Sequence, residues 1–119
     1  MRIDERGNLR IQYLDADGPL ISTSADTSDL IGNAWYQNAN VIAVPVERLD
    51  PAFFELRSGV AGEVAQKLVN YQLRLVVIGD ISGYEAASAA FRDWVYESNR
   101  GTHVWFVPDV AALDARLGA

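Results

Sequence analysis

The chain has 119 residues, ten Lys and Arg against sixteen Asp and Glu, a net charge of -6, one histidine and no cysteine. That length suits a single domain, residues 1–119, with a core of its own. The lack of cysteine excludes disulfides and thiolate metal sites, and one histidine leaves no zinc or two-histidine iron centre to build, so neither a metal nor a cofactor is expected. The basic residues are scattered, and nucleic acid needs them clustered, so it is not an expected partner.

The opening stretch "MRIDERGNLR" is charged and has no apolar centre, unlike a secretory signal. No apolar run approaches the roughly 20 residues of a membrane span, so the expected location is cytoplasmic, with no membrane partner. "NLRIQYL" (8–14) alternates, with Leu9, Ile11 and Tyr13 on one face and Arg10, Gln12 and Leu14 on the other, which predicts a half-exposed strand. "DADG" (15–18) is turn chemistry, and "PLIS" (19–22) reads as a short returning strand with Pro19 at its start. Together they predict an antiparallel hairpin.

Capping residues then precede Leu30, Ile31, Ala34 and Trp35 at helical spacing in "SADTSDLIGNAWYQN" (24–38). "VIAVPV" (41–46), "LRLVVIG" (73–79) and "HVWFVP" (103–108) are short apolar runs of the kind found in strands covered on both faces. The helix before the second run has Val60, Ala61, Val64, Ala65, Leu68 and Val69 as its inner stripe, and Glu63 and Lys67 at ion-pair spacing outside. The helix before the last run opens at "SGYE", where Ser82 and Glu85 have capping-box spacing. Phe91, Trp94 and Val95 form its stripe, and Gly101 ends it. A final helix follows Asp109. The order is β-β-α-β-α-β-α-β-α, which implies an α/β fold: a mixed, mostly parallel sheet of about five strands with helices against it.

The long connection "ERLDPAFFELRSG" (47–59) is where local chemistry concentrates. Asp50-Pro51 can open a helical turn packed down by Phe53, Phe54 and Leu56, and Ser58 and Gly59 then start the next helix. Ser is among the commonest helix caps and Gly suits close backbone packing, so these residues have a purely structural use. A helix start also offers unpaired amides to an anion, and Arg57 adds a positive charge beside Ser58, Gly59 and Gly62. A serine here is also open to phosphorylation. Catalysis is the weaker reading, because Ser58 as nucleophile needs an activating base and the one histidine, His103, opens a distant strand. Strand ends at Glu47, Asp80 and Asp109 add carboxylates that could meet a cation, although turn and cap roles suit them too. Asn99, in "ESNRG", is a further polar group able to read a ligand. Tyr36 and Tyr96 fall off the apolar stripes and form a candidate contact surface.

A strand, a hydrophobic-acidic stretch running into Ser-Gly, a helix and a second strand ("VIAVPV", "FFELRSGVAGEV", "LRLVVIG") resemble the centre of STAS domains, the modules of anti-sigma-factor antagonists and sulfate transporters. The element order resembles that fold as well. In the antagonists the serine at this helix start is phosphorylated by a partner kinase, which the resemblance carries to Ser58. Arg57 stands where antagonists typically carry Ser or Thr, and it turns the same spot toward anion binding. Across "IGNAWYQNANVI", "FFELRSGVAGEVAQKLVNYQLRLVVIGD" and "FRDWVYESNRG" the chain is similar to a family of small bacterial proteins catalogued only as a domain of unknown function.

Two expectations follow. The first is a non-enzymatic regulatory or protein-interaction module acting through the Ser58 helix start on a protein partner. The second is a domain binding a small anion (phosphate, nucleotide or carboxylate), with weak catalysis allowed, through Arg57, Ser58, Gly59, Gly62, Asp80 and Asn99. A homodimer is left open by both.

Overall fold

A computed structural model describes residues 2–118. Five strands form one sheet in sequential order: β1 (Arg2–Arg6), β2 (Leu9–Tyr13), β3 (Val41–Pro45), β4 (Arg74–Ile78) and β5 (Val104–Val107). β1 is antiparallel to β2, and the other pairings are all parallel. The helices are α1 (Ser24–Tyr36), α2 (Val60–Asn70), α3 (Ser82–Ala87), α4 (Ala89–Arg100) and α5 (Val110–Gly118). The architecture is the mixed, mostly parallel α/β sheet that the apolar runs predict.

Crossovers between adjacent parallel strands share one hand, so they stack their helices on one side of the sheet. Leu30, Ile31 and Ala34 of α1, Ala61, Val64 and Leu68 of α2, and Phe91 and Val95 of α4 form one core with Ile42, Val44, Leu75, Val77, Val104 and Phe106. The alternate strand residues, Ile11, Tyr13, Val41, Ala43, Val76 and Val107, face the other way and pack with Leu113 of α5. Arg6 of β1 reaches Asp114 of α5 at 2.7 Å, and the Arg116 guanidinium lies 3.7 Å over the Trp105 ring, so polar contacts tie that single helix down at both sides.

The hairpin lies one strand earlier than "NLRIQYL" and "PLIS" predict. Its strands are Arg2–Arg6 and Leu9–Tyr13, joined at Gly7-Asn8 with Gly7 at φ +61. β1 carries charge on both faces, which suits an edge strand: Arg6 pairs with Asp4 and Asp114, Arg2 lies 4.2 Å over the Tyr13 ring, and Glu5 takes Arg10 of β2. β2 is consequently interior, with Ile11, Gln12 and Tyr13 buried rather than half-exposed. "PLIS" makes one isolated parallel bridge, Ile21 to Leu49. Arg48 holds the preceding loop through the Pro19 and Asp15 carbonyls at 2.8 and 2.9 Å.

Three other expectations change. The 82–100 segment is two helices, because Ser88 is in extended backbone and its Oγ accepts from the Phe91 amide, capping α4, while Ser82 caps nothing. Lys67 turns from Glu63 to α1, donating to the Ser24 and Ser28 hydroxyls at 2.8 and 2.7 Å. Trp35 is 60 % exposed, because Ala34, fully buried beside it, occupies the position facing the sheet.

Gly79 ends β4 at φ +143, and a Cβ there would sit 2.9 Å from the Val46 Cβ. Gly62, inside α2, has nothing within 4 Å of an added Cβ. Gly79→Ala is therefore expected to destabilise the domain by about 1–3 kcal/mol in urea unfolding, whereas Gly62→Ala stabilises it by about 0.5–1 kcal/mol. Equal effects at the two positions would contradict this geometry.

Candidate functional site

The connection from β3 to α2 is three short 3-10 turns: Val46–Arg48, Pro51–Phe54 and Leu56–Ser58. Asp50 starts the second, its Oδ1 accepting from the Ala52 amide at 2.9 Å, as the Asp-Pro pair predicts. The Ala52 amide and, after it, the Ser22 side chain hold the Asp50 carboxyl below its usual range. Phe53 and Phe54 are 0 % and 2 % exposed, so the connection is anchored in the helical-side core. Phe54 stacks flat on Tyr84 of α3, with ring centroids 3.9 Å apart and planes 8° from parallel. That stack brings the β3–α2 and β4–α3 connections together at the carboxyl edge of the sheet, where ligands of parallel sheets usually bind.

Between these connections lies a cleft of about 480 Å³. Pro51, Phe54 and Leu56 line one side, Tyr84, Ala87 and Ala90 the other, and Glu55 and Arg57 supply the charge. Among the described residues the Arg57 side chain makes no hydrogen bond or salt bridge. A free guanidinium beside an aromatic floor suits a carboxylate or phosphate carried on an apolar body.

Ser58 stands at the end of the cleft wall. Its Oγ donates to the Ala52 carbonyl at 2.6 Å and accepts from the Val60 amide at 3.2 Å. The hydroxyl thus closes the second 3-10 turn onto the start of α2 and satisfies one of the helix's unpaired amides. The cap residue itself is Gly59, at φ +81 in left-handed backbone, where a side chain would be strained. The sequence assigns that cap to Ser58; the turn ending in Ser58 moves it on by one residue.

The other predicted residues lie apart from this cleft. Gly62 lines a groove between α2 and α4, together with His103. Asp80 and Asn99 share a third depression, of about 290 Å³, at the ends of β4 and β5. Both are engaged there: Asp80 Oδ1 accepts from the Ser82 amide at 2.9 Å, and Asn99 Oδ1 accepts from the Phe106 amide at 2.7 Å. Hydrogen bonds from Ser82, side chain first and then amide, hold the Asp80 carboxyl below its ordinary value. Glu47, Asp80 and Asp109 form no metal-holding group, and none of three or more ligating side chains occurs among the described residues. Of the residues that line the cleft only Arg57 is among the predicted site residues; Phe54, Glu55 and Tyr84 are the principal ones that pattern alone did not assign to it. The aromatic of "SGYE" was the available signal, but its partner Phe54 is set by tertiary packing.

Ser58→Ala removes both bonds of the hydroxyl and leaves the Ala52 carbonyl with the Glu55 amide, at 3.2 Å, as its donor. The expected loss is about 0.5–1.5 kcal/mol in urea unfolding. A neutral effect would show that the hydroxyl does not hold the cleft wall.

Residues 6–117 match the family model described as a domain of unknown function, DUF4180. The comparisons with curated proteins and with solved structures give no match. With nearly all of its length covered by that one model, the chain belongs to the DUF4180 family.

Proposed function

We propose that the domain is a non-enzymatic recognition module that takes an acidic, apolar-anchored segment of a protein partner in the cleft beside Ser58. The observation that carries this reading is the unpartnered Arg57 at the edge of a cleft floored by Phe54 and Tyr84. An apolar side chain of the partner covers the ring stack, while its carboxylate or phosphate takes a bidentate bond from the guanidinium. Glu55 on the same rim disfavours a second acidic group, which gives the bound segment a direction. The rigid anchoring of Phe53 and Phe54 means little ordering cost on binding.

Ser58 supplies the regulation. Phosphorylation removes the hydroxyl proton that Ser58 donates to the Ala52 carbonyl, and places a dianion at the start of α2 and next to Arg57. The phosphate competes with the partner for the same cation. The resemblance to STAS antagonists, whose serine at this helix start switches partner binding, supports this role. A catalytic role for Ser58 has less support, since its proton is committed to a backbone carbonyl and His103 lines a different groove.

A second reading, a small anionic ligand, is favoured by the cleft's volume of about 480 Å³, which lies within the usual range for small-molecule pockets. Both readings use Arg57. A peptide array in which Leu or Phe is flanked by Asp, Glu or phosphoserine tests the first, with phenyl phosphate titrated in parallel for the second. Wild-type protein is expected to capture a subset of the array, Arg57→Glu to weaken capture at least about tenfold, and Arg57→Lys to retain part of it. Capture of no peptide, or capture indifferent to Arg57→Glu, overturns the protein-partner reading. Binding of phenyl phosphate alone would replace it with the second.

A further inference from the structure

The ends of α1 and α2 carry an aromatic surface separate from the cleft. Trp35, Tyr36 and Tyr71 are 60 %, 85 % and 45 % exposed. Trp35 and Tyr71 meet edge to face at 5.8 Å and 76°, so the two helices present one continuous patch. At the usual size of aromatic side chains this exposes on the order of 400 Å². A patch of that extent marks a contact site on a water-facing surface.

The surroundings of the patch are uncharged. No charged residue occurs from Leu30 to Val46 or from Leu68 to Leu73, in a chain that is 22 % charged. Asn38, Asn70 and Gln72, at the ends of the two helices that carry the rings, are exposed amides. Arg10, which reaches the end of α1, is committed to the Gln37 carbonyl at 2.7 Å and to Glu5, and Lys67, one turn before Tyr71, is committed to the Ser24 and Ser28 hydroxyls.

We propose that this face pairs with the same face of a second copy of the chain about a two-fold axis. In such a contact a residue close to the axis meets its own copy, so a charge there would face a like charge. A molecule of net charge -6 repels its copy over most of its surface, and this aromatic face lacks that cost. Amide side chains both donate and accept, so each can pair with its own symmetry mate. A strongly acidic or basic partner would find no counter-charge here. The aromatic area is about half of the roughly 800 Å² that each partner buries in a specific interface, which makes the dimer reversible.

Sedimentation equilibrium over a wide range of concentration tests this. Wild-type protein is expected to show a monomer–dimer equilibrium, and Tyr36→Glu and Tyr36→Lys each to weaken it at least about tenfold, by placing like charges across the axis. Mixing the two variants is expected to restore association as a heterodimer. Tyr36 is 85 % exposed, so the variants are expected to keep the wild-type circular dichroism. A wild type that stays monomeric throughout overturns the proposal. So does a dimer that both Tyr36→Glu and Trp35→Glu leave intact, or a mixture no more associated than either variant alone.

Discussion

The burial of Phe53 and Phe54 is the constraint on which the candidate site depends. These side chains belong to a connection, yet they sit within an aromatic cluster that reaches the sheet. Phe54 meets Phe91 of α4 at 5.6 Å, Phe53 meets Trp94 at 6.1 Å, and Phe91 meets Phe106 of β5 at 5.8 Å. Such pairs are worth about 0.5–1.5 kcal/mol each beyond the burial of their area. Ordering a long connection costs roughly 1–2 kcal/mol per residue in backbone freedom, and this cluster offsets much of it. The wall that carries Arg57 and Ser58 is therefore an extension of the core.

The two faces of the sheet divide the work. α1, α2 and α4 cover one face and enclose the aromatic cluster, and the connections at the carboxyl edge open the cleft against α3. The other face has α5 alone, held by Leu113 in the apolar layer and by Asp114 and Arg116 at its rim. At the opposite edge, the ends of α1 and α2 carry the uncharged aromatic patch. Partner recognition at one edge and self-association at the other would leave each surface free while the first is occupied.

Much of the fold was legible because burial leaves a mark in composition. "VIAVPV", "LRLVVIG" and "HVWFVP" are apolar on both faces because helices cover both faces, and Asp50-Pro51 announces its turn through the physics of one side chain and one ring. β1 was not legible, since an edge strand is free to carry Arg2, Asp4, Glu5 and Arg6, and its pairing shows only once Asp114 and Arg10 are in place. The division of α3 from α4 falls at Ser88, whose Oγ caps α4, where the capping-box spacing of Ser82 and Glu85 points to one helix. Arg57 and Ser58 were readable from a helix start, but Asp80 and Asn99 are spent on the Ser82 and Phe106 amides, and no local pattern signals that. Trp35 shows the limit of periodicity: a stripe containing both Ala34 and Trp35 does not say which faces the sheet.

A preformed cleft requires the Pro51–Ser58 segment to be a rigid wall rather than a loop that orders on binding. Amide hydrogen exchange across residues 52–60 of the free protein measures this directly. The Phe53 amide, bonded to the Asp50 carbonyl at 2.8 Å, and the Val60 amide, bonded to Ser58 Oγ, are expected to exchange as slowly as amides within α2. Exchange of both at the rate of an open chain would contradict a preformed cleft.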